Sequence, residues 1–217
     1  MVNSVQETFC QDWFRATAED LVSRDYFQAL EHYGSVHAQL LSSGPADERW
    51  RSIHLFIFTA TTLSHQRVFI ETPYFVPDLP ILLALRTAAL RGVDVRLLLP
   101  NQSVHPLVLY AGRSLQDQLM EAGVRIFELK NSMTHAKTVT IDSFLSTIGS
   151  ANLDQRSFRL NFESNLFFFD ESVTQQTEQD VLNPCNAADE ISLEHRRGLP
   201  RSTKMIESVC RVLSPLL

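Results

Sequence analysis

The chain has 217 residues, 44% hydrophobic and 20% charged, with 19 Lys plus Arg against 25 Asp plus Glu and a formal net charge of −6. This is enough apolar material for one large domain or two small ones, which excludes a disordered tail. The acidic balance excludes a broadly basic nucleic-acid-binding surface and leaves room only for a local basic site.

Phe9, Trp13, Phe14, Ala16, Leu21 and Phe27 recur at helical spacing, so residues 7–30 predict one broken helix. Ser42-Ser43-Gly44-Pro45 reads as a turn, after which Ser43 or Asp47 would cap a helix running to Leu63. Arg67 to Glu71 and Val93 to Leu99 are β-branched and apolar runs stopped by Pro73 and Pro100, and both read as strands. Between them residues 77–91 predict a helix opened by Asp78 and closed by Gly92. Leu107 to Ala122 predicts one amphipathic helix ended by Gly123, with a strand from Val124 to Leu129. Three more strands are expected at Thr138 to Asp142, Leu145 to Gly149 and Asn165 to Asp170, the first two joined as a hairpin. Residues 173–217 are expected to be helical or loose, broken at Asn183-Pro184 and Leu199-Pro200. The alternation predicts an α/β fold with a mixed β-sheet sandwiched between helices.

Cys10, Cys185 and Cys210 are odd in number and widely spaced, which suggests neither a disulfide framework nor a zinc site and fits a reducing compartment. The longest apolar stretches, Ile53 to Leu63 and Leu79 to Leu90, are interrupted and fall short of the roughly 20 residues that a membrane span needs. Residues 1–11 lack the pattern of a signal peptide, so a cytoplasmic or peripheral protein is expected.

The residues that carry chemistry are His135-Ala136-Lys137, Asp142, Gly149-Ser150-Ala151-Asn152 and Asn161-Phe162-Glu163. On a strand entered at His135, side-chain alternation puts His135 and Lys137 on one face, able to share a ligand. An ammonium beside an imidazole repels a metal but suits a phosphate. Lys137 would hold the anion, and His135 would attack phosphorus or protonate a leaving oxygen. Ser150 and Asn152, two apart, would offer a hydroxyl and an amide to the same oxyanion. Glu163 would accept from the second imidazole nitrogen and so fix the tautomer. Asp142 either joins the chemistry or serves the hairpin turn in which it sits.

These stretches, HAKTVTID with GSANLDQRSFRLNFESN, resemble the HKD signature of the phospholipase D superfamily. SSGP, FIETPYFVPD, ALRTAALRGVDVRLLLP, EAGVRIFELK and RVLSPLL narrow the likeness to the C-terminal half of a bacterial cardiolipin synthase. It covers nearly the whole chain and is weakest between Thr174 and Thr203. The resemblance implies a phospholipase D-like fold over residues 44–217, preceded by a helical remnant of the inter-motif region over residues 1–43. It also implies phosphatidyl transfer between two phosphatidylglycerol molecules through a phosphohistidine, without metal or cofactor. On this likeness His135, Lys137, Asp142 and Glu163 are catalytic, and Lys137, Ser150 and Asn152 bind phosphate. Pro73-Tyr74-Phe75 and Pro77-Asp78, just past a strand end, either line the lipid-entry side or form a packed turn.

The family places two HKD motifs in one protein, whereas this chain has one. His32, His37, His54, His105 and His195 have no Lys two residues on, and His65 is followed by Thr72 where an acid is needed. The expectation is therefore a half-enzyme that acts with a second motif in trans, as a homodimer or with a partner subunit. It would use anionic phosphatidylglycerol and no nucleic acid, at the cytoplasmic side of a bacterial membrane or free in the cytoplasm. The alternatives are a non-catalytic remnant that binds lipid or a partner, and a single-motif phosphodiesterase or nuclease.

Overall fold

The computed structural model describes residues 1–21, 26–27, 34–45, 51–130 and 134–214. In chain order its elements are α1 (Val2–Thr17), β1 (His37–Ser43), α2 (Ser52–Leu63), β2 (Arg67–Glu71), β3 (Phe75–Val76), α3 (Leu79–Leu90) and β4 (Asp94–Pro100). There follow α4 (Pro106–Arg113), α5 (Gln116–Glu121), β5 (Arg125–Leu129), β6 (Thr138–Ile141), β7 (Leu145–Gly149), β8 (Leu153–Asp154) and α6 (Gln155–Arg159). The last are β9 (Glu163–Phe169), α7 (Glu171–Ala187), β10 (Asp189–Glu190), α8 (Leu193–Gly198) and α9 (Arg201–Leu213).

The runs RVFIE, DVRLLLP and RIFEL form the parallel trio β2, β4 and β5. Strand β6 joins β2 antiparallel, and the hairpin partner β7 carries the sheet on to β9 and β1. The result is one mixed sheet in the order β1-β9-β7-β6-β2-β4-β5-β10, with a small parallel pair β3-β8 beside it.

Period-two alternation sends each strand's apolar residues to both faces. Val68, Ile70, Leu97, Ile126 and Val139 pack under Ile53 and Ile57 of α2, Ile81 and Leu85 of α3, and Leu119 of α5. Phe69, Leu98 and Phe127, one residue out of phase, meet Val181 and Cys185 of α7 on the other face. Burial of each such side chain contributes about 1.5–3 kcal/mol, so the sheet is stabilised from both sides and its ends are held rigidly. Burial also pushes the Cys185 thiol up to about 11, which makes it a packing residue rather than a nucleophile.

The fold class is as expected, and five local expectations change. Residues 37–43 are the edge strand of the main sheet, because they pair antiparallel with β9 from His37 opposite Phe169 to Ser43 opposite Glu163. Helix α1 ends at Ala18 in the left-handed region, so the helix expected over residues 7–30 stops early in the described part. The single helix expected from Leu107 to Ala122 is two, α4 and α5. The Ser114 hydroxyl donates to the Ala111 carbonyl at their junction, at 2.6 Å. Helix α7 runs through Pro184. The proline removes the donor that the Asp180 carbonyl would otherwise receive, at an exposed position of the helix. Ser43 lies within β1, Arg51 precedes α2, and Asp47 lies outside the described residues. The cap at Asp78, the stops at Gly92 and Gly123, and the break at Pro200 stand as read.

Candidate active site

Glu71 pairs with Thr138, so His135 and Lys137 enter the sheet at the carboxyl end of the parallel strands. That edge is where open α/β sheets expose loops and helix ends to ligands. The Lys137 Nζ donates to the His135 carbonyl at 2.9 Å and lies 3.3 and 3.4 Å from the two ring nitrogens. Lys137 is only 9% exposed, whereas the His135 ring is open to solvent. The loop before them is pinned by the Thr134 hydroxyl, which donates to the Glu71 carboxylate and accepts from the Ala136 amide at 3.3 Å.

The next strand end approaches so closely that only glycine fits at position 149. A Cβ there would collide with the Asn165 side chain and the Ser164 carbonyl. Asn165 accepts from the Ala151 amide and donates to the Thr147 hydroxyl, both at 3.1 Å, which fixes the turn that presents Ser150. The Ser150 hydroxyl donates to Glu163 and accepts from the Ser164 amide at 3.0 Å. Glu163, 6% exposed, also receives the Asn161 amide at 3.1 Å.

Electrostatics tie these groups to Lys137. Burial lowers the lysine's pKa, and the charges of Glu163 and Asp154 oppose that shift. Asp154 is pushed up by burial and held back mainly by Ser157, whose amide donates to it at 2.7 Å to cap α6. Asp154 belongs to the site by position, although sequence reasoning gave it no role. Its signal was local: an Asp three residues before Ser157 reads as a helix cap, which hides its second position beside the lysine.

Two cavities flank this cluster. One, of about 400 Å³, is lined by Thr8, Ser42, Ser150, Glu163 and Ser164 among others, with Arg15 at its wall. The other, of about 520 Å³, is lined by Tyr74, Val104, His105, Leu107, Asn152 and Asn161 among others. The Glu163 carboxylate bridges them, taking Ser150 from one side and Asn161 from the other. The Asn152 Oδ1 is buried without a hydrogen-bond partner among the described residues. A buried polar atom in that state costs about 1–3 kcal/mol, which a ligand hydroxyl would relieve.

The structure thus brings His135, Lys137, Ser150, Asn152 and Glu163 to one sheet edge, with two departures from expectation. The Glu163 oxygens take Ser150 and Asn161 rather than the His135 ring. Ser150, whose hydroxyl donates to Glu163, lines the smaller cavity, and Asn152 lines the larger one. Asp142 is not brought to the site at all. At the opposite end of β6 it adopts φ 52°, and its carboxylate accepts the backbone amides of His65, Gln66 and Arg67 at 2.7–3.2 Å. At about 3.3 Å per residue, roughly 16 Å of strand separate it from Lys137. Among the described residues no group of three or more His, Cys, Asp or Glu is arranged to hold a metal ion. The groups that do converge, an ammonium and an imidazole, suit an anion.

Residues 58–183, more than half of the chain, match the family described as "Cardiolipin synthase, PLD-like domain". Over its full length the chain is 42% identical to cardiolipin synthase 2 of Bacillus anthracis, covering 42% of that protein. It is 41% identical to cardiolipin synthase A of Pseudomonas fluorescens, covering 45% of it. The chain therefore spans less than half the length of these curated relatives. Among solved structures, a phosphatidylserine synthase from Haemophilus influenzae superposes with a TM-score of 0.67 at 15% identity, covering 88% of this chain and 49% of that one. Nuc, a phospholipase D family member from Salmonella typhimurium, does so at 0.62 and 16%, covering 72% and 99%. At such identities the two share its fold. With His135, Lys137, Ser150 and Glu163 gathered at the sheet edge and the match spanning most of that sheet, the chain belongs to the cardiolipin synthase family of phospholipase D-like domains.

Proposed function

We propose that this chain provides one HKD half of a phosphatidyl transfer reaction that converts two phosphatidylglycerol molecules into cardiolipin and glycerol. The observation that carries this reading is the Lys137 ammonium packed against the His135 ring at an exposed strand end. A nucleophile and an anion-binding charge are held together there before substrate arrives.

In the first step a neutral ring nitrogen of His135 attacks the phosphodiester phosphorus, and the bond to the head-group glycerol oxygen breaks. That oxygen leaves as glycerol with a proton from a second imidazole on the opposite face. In the second step the same imidazole takes the proton from a hydroxyl of another phosphatidylglycerol. The resulting oxygen attacks phosphorus and displaces His135, which regenerates the enzyme. Lys137 offsets the negative charge that builds on the non-bridging oxygens in both steps. The second histidine comes from outside these 217 residues, from a second copy of the chain or from a partner that carries the other motif.

The 520 Å³ cavity, with the Tyr74 and His105 rings 5.9 Å apart and Val104 and Leu107 beside them, suits the less polar part of a lipid. The hydroxyl-lined 400 Å³ cavity suits glycerol. Such substrates place the reaction at a membrane surface. No helix among the described residues is long and apolar enough to cross a membrane.

The test is incubation of the purified chain with head-group-labelled and phosphorus-labelled phosphatidylglycerol, followed by alkaline quench. Phosphate label on His135, with release of glycerol and formation of cardiolipin, is the expected result. Absence of both label and product from a protein of dimeric mass refutes the reading and leaves a lipid- or partner-binding domain.

A further inference from the structure

Arg15, Arg113 and Arg156 each line a cavity of the molecule, and two of them already hold a carboxylate. Arg15 pairs with Asp12 at 2.7 Å, and Arg113 with Glu128 at 3.0 Å. Arg156 differs. It is exposed, and among the described residues its side chain makes neither an ion pair nor a hydrogen bond, while its carbonyl accepts the Leu160 and Asn161 amides at 2.8 and 3.0 Å. Its cavity is the one of about 520 Å³, which adjoins the catalytic groups. Asn161 of that wall donates to Glu163 at 3.1 Å, and Asn152 lines the same space with its Oδ1 buried and without a partner among the described residues. His105, also of that wall, stands at the start of α4 with an exposed side chain that makes no cap hydrogen bond. Asp154 is the wall's one acid, and its carboxylate accepts the Ser157 amide at 2.7 Å as the cap of α6.

We infer that Arg156 binds the phosphodiester of the acceptor lipid, the second phosphatidylglycerol, and so selects that lipid over water as the group that displaces His135. The inference deepens the transfer reading above and rests on it. The donor lipid brings one negative charge, and Lys137 takes it. The adjoining cavity offers Val104 and Leu107 to the less polar part of a lipid, together with a free guanidinium for which the donor has no partner. The acceptor has one: its own phosphodiester is a second anion, joined through the carbons of glycerol to the hydroxyl that must reach phosphorus. A guanidinium takes two such oxygens through parallel N–H bonds, and the His105 ring can add a further donor. The other free head-group hydroxyl can donate to the Asn152 Oδ1 and so relieve a buried acceptor. Two diesters brought together without a second cation repel each other, whereas an acceptor anchored by its phosphate presents its hydroxyl in place. When the anchor is lost, water takes the acceptor's part. It gives a proton to the second imidazole, its oxygen attacks phosphorus as the bond to His135 breaks, and the product is phosphatidic acid.

The test has a product arm and a binding arm. With phosphorus-labelled phosphatidylglycerol, Arg156→Gln is expected to lower the ratio of cardiolipin to phosphatidic acid at least about tenfold, the loss of a charge-assisted hydrogen bond. Arg156→Lys keeps the charge and should recover part of that loss; no recovery would make the residue a packing element and overturn the inference. The binding arm needs no turnover. The full chain carrying His135→Ala is titrated calorimetrically with a soluble short-chain phosphatidylglycerol, and two binding steps are expected. Adding Lys137→Gln should remove one, and adding Arg156→Gln the other. Because the Arg156 side chain is exposed, circular dichroism should not change. An unchanged product ratio, or a second step that survives Arg156→Gln, overturns the inference. So does inorganic phosphate that fills the Arg156 step as tightly as the lipid, which assigns the site to a free anion. An Arg156-dependent step in a chain whose His135 takes no label refutes the catalytic reading alone. Label on His135 with a wild-type product ratio in Arg156→Gln refutes the acceptor site alone.

Discussion

The two ends of β6 carry the two halves of one short motif and treat their polar groups in opposite ways. At the Asp142 end the carboxylate is satisfied: it takes three consecutive backbone amides and so ties the entry of β2 to the β6–β7 hairpin. At the His135 end polar groups are left in want. A lysine is buried against the preference of its charge, Glu71 is buried as well, and the Asn152 Oδ1 has no partner among the described residues. A spacing of four residues between Lys137 and Asp142 is what a strand needs to place chemistry at one edge and its anchor at the other. A charged lysine and an amide oxygen held at an open strand end can be completed by a ligand, whereas a carboxylate supplied with backbone donors serves the scaffold.

The contrast predicts that substitutions at the two ends separate activity from stability. The largest effect is expected for His135→Ala, which removes the nucleophile from an exposed ring. Label incorporation and turnover should fall by at least about 10³-fold, with the thermal midpoint unchanged. Asp142→Ala should do the reverse. It loses charge-assisted acceptance of three amides and puts alanine at a positive φ, so stability should drop by about 1–3 kcal/mol in denaturant unfolding. Phosphohistidine formation by the folded fraction should persist. A dead but fully stable Asp142→Ala would break the comparison, because it would make the aspartate a direct participant.

The sequence made the division only partly legible. Its strands, the mixed sheet and the nearness of His135 to Lys137 follow from local rules: alternation, proline stops and spacing within a strand. What failed depends on neighbours far along the chain. HAQLLSS has little β-branched content and becomes a strand because β9 offers it an open edge. The partners of Glu163 are set by the turn that Gly149 and Asn165 build, which no spacing rule encodes.

A smaller effect, in pH, sharpens the picture at the catalytic end. Burial lowers the Lys137 pKa, so in the absence of ligand the charged lysine costs stability at neutral pH. That cost disappears as pH rises from the lowered folded value toward the ordinary lysine range. Phosphate binding has the opposite dependence, because it requires the ammonium. Affinity for inorganic phosphate or vanadate, followed by calorimetry, should therefore fade with rising pH below the usual lysine midpoint. Lys137→Arg, which stays charged, should abolish that decline. An affinity constant up to the unperturbed lysine range would show that the ammonium is already solvated as in free lysine.

The smallest expected effect concerns Glu71, which burial pushes up while the Thr134 hydrogen bond pulls it back. A folded carboxyl with a raised pKa favours the proton. Its ionisation therefore costs stability at pH values above the folded pKa, and the cost vanishes below the unfolded one. Glu71→Gln keeps an acceptor for Thr134 and removes the charge, so the thermal midpoint at pH 7 should rise by about 1–3 °C. The difference from wild type should close as pH falls through the carboxylate range. The same substitution at a fully satisfied carboxylate, Asp142→Asn, should lower the midpoint at pH 7, because it gives up charge on a group that already has all its donors. Opposite signs for the same loss of charge, at the two ends of adjacent strands, would distinguish an edge built to receive an anion from one built to hold the sheet together. Equal signs would remove the distinction.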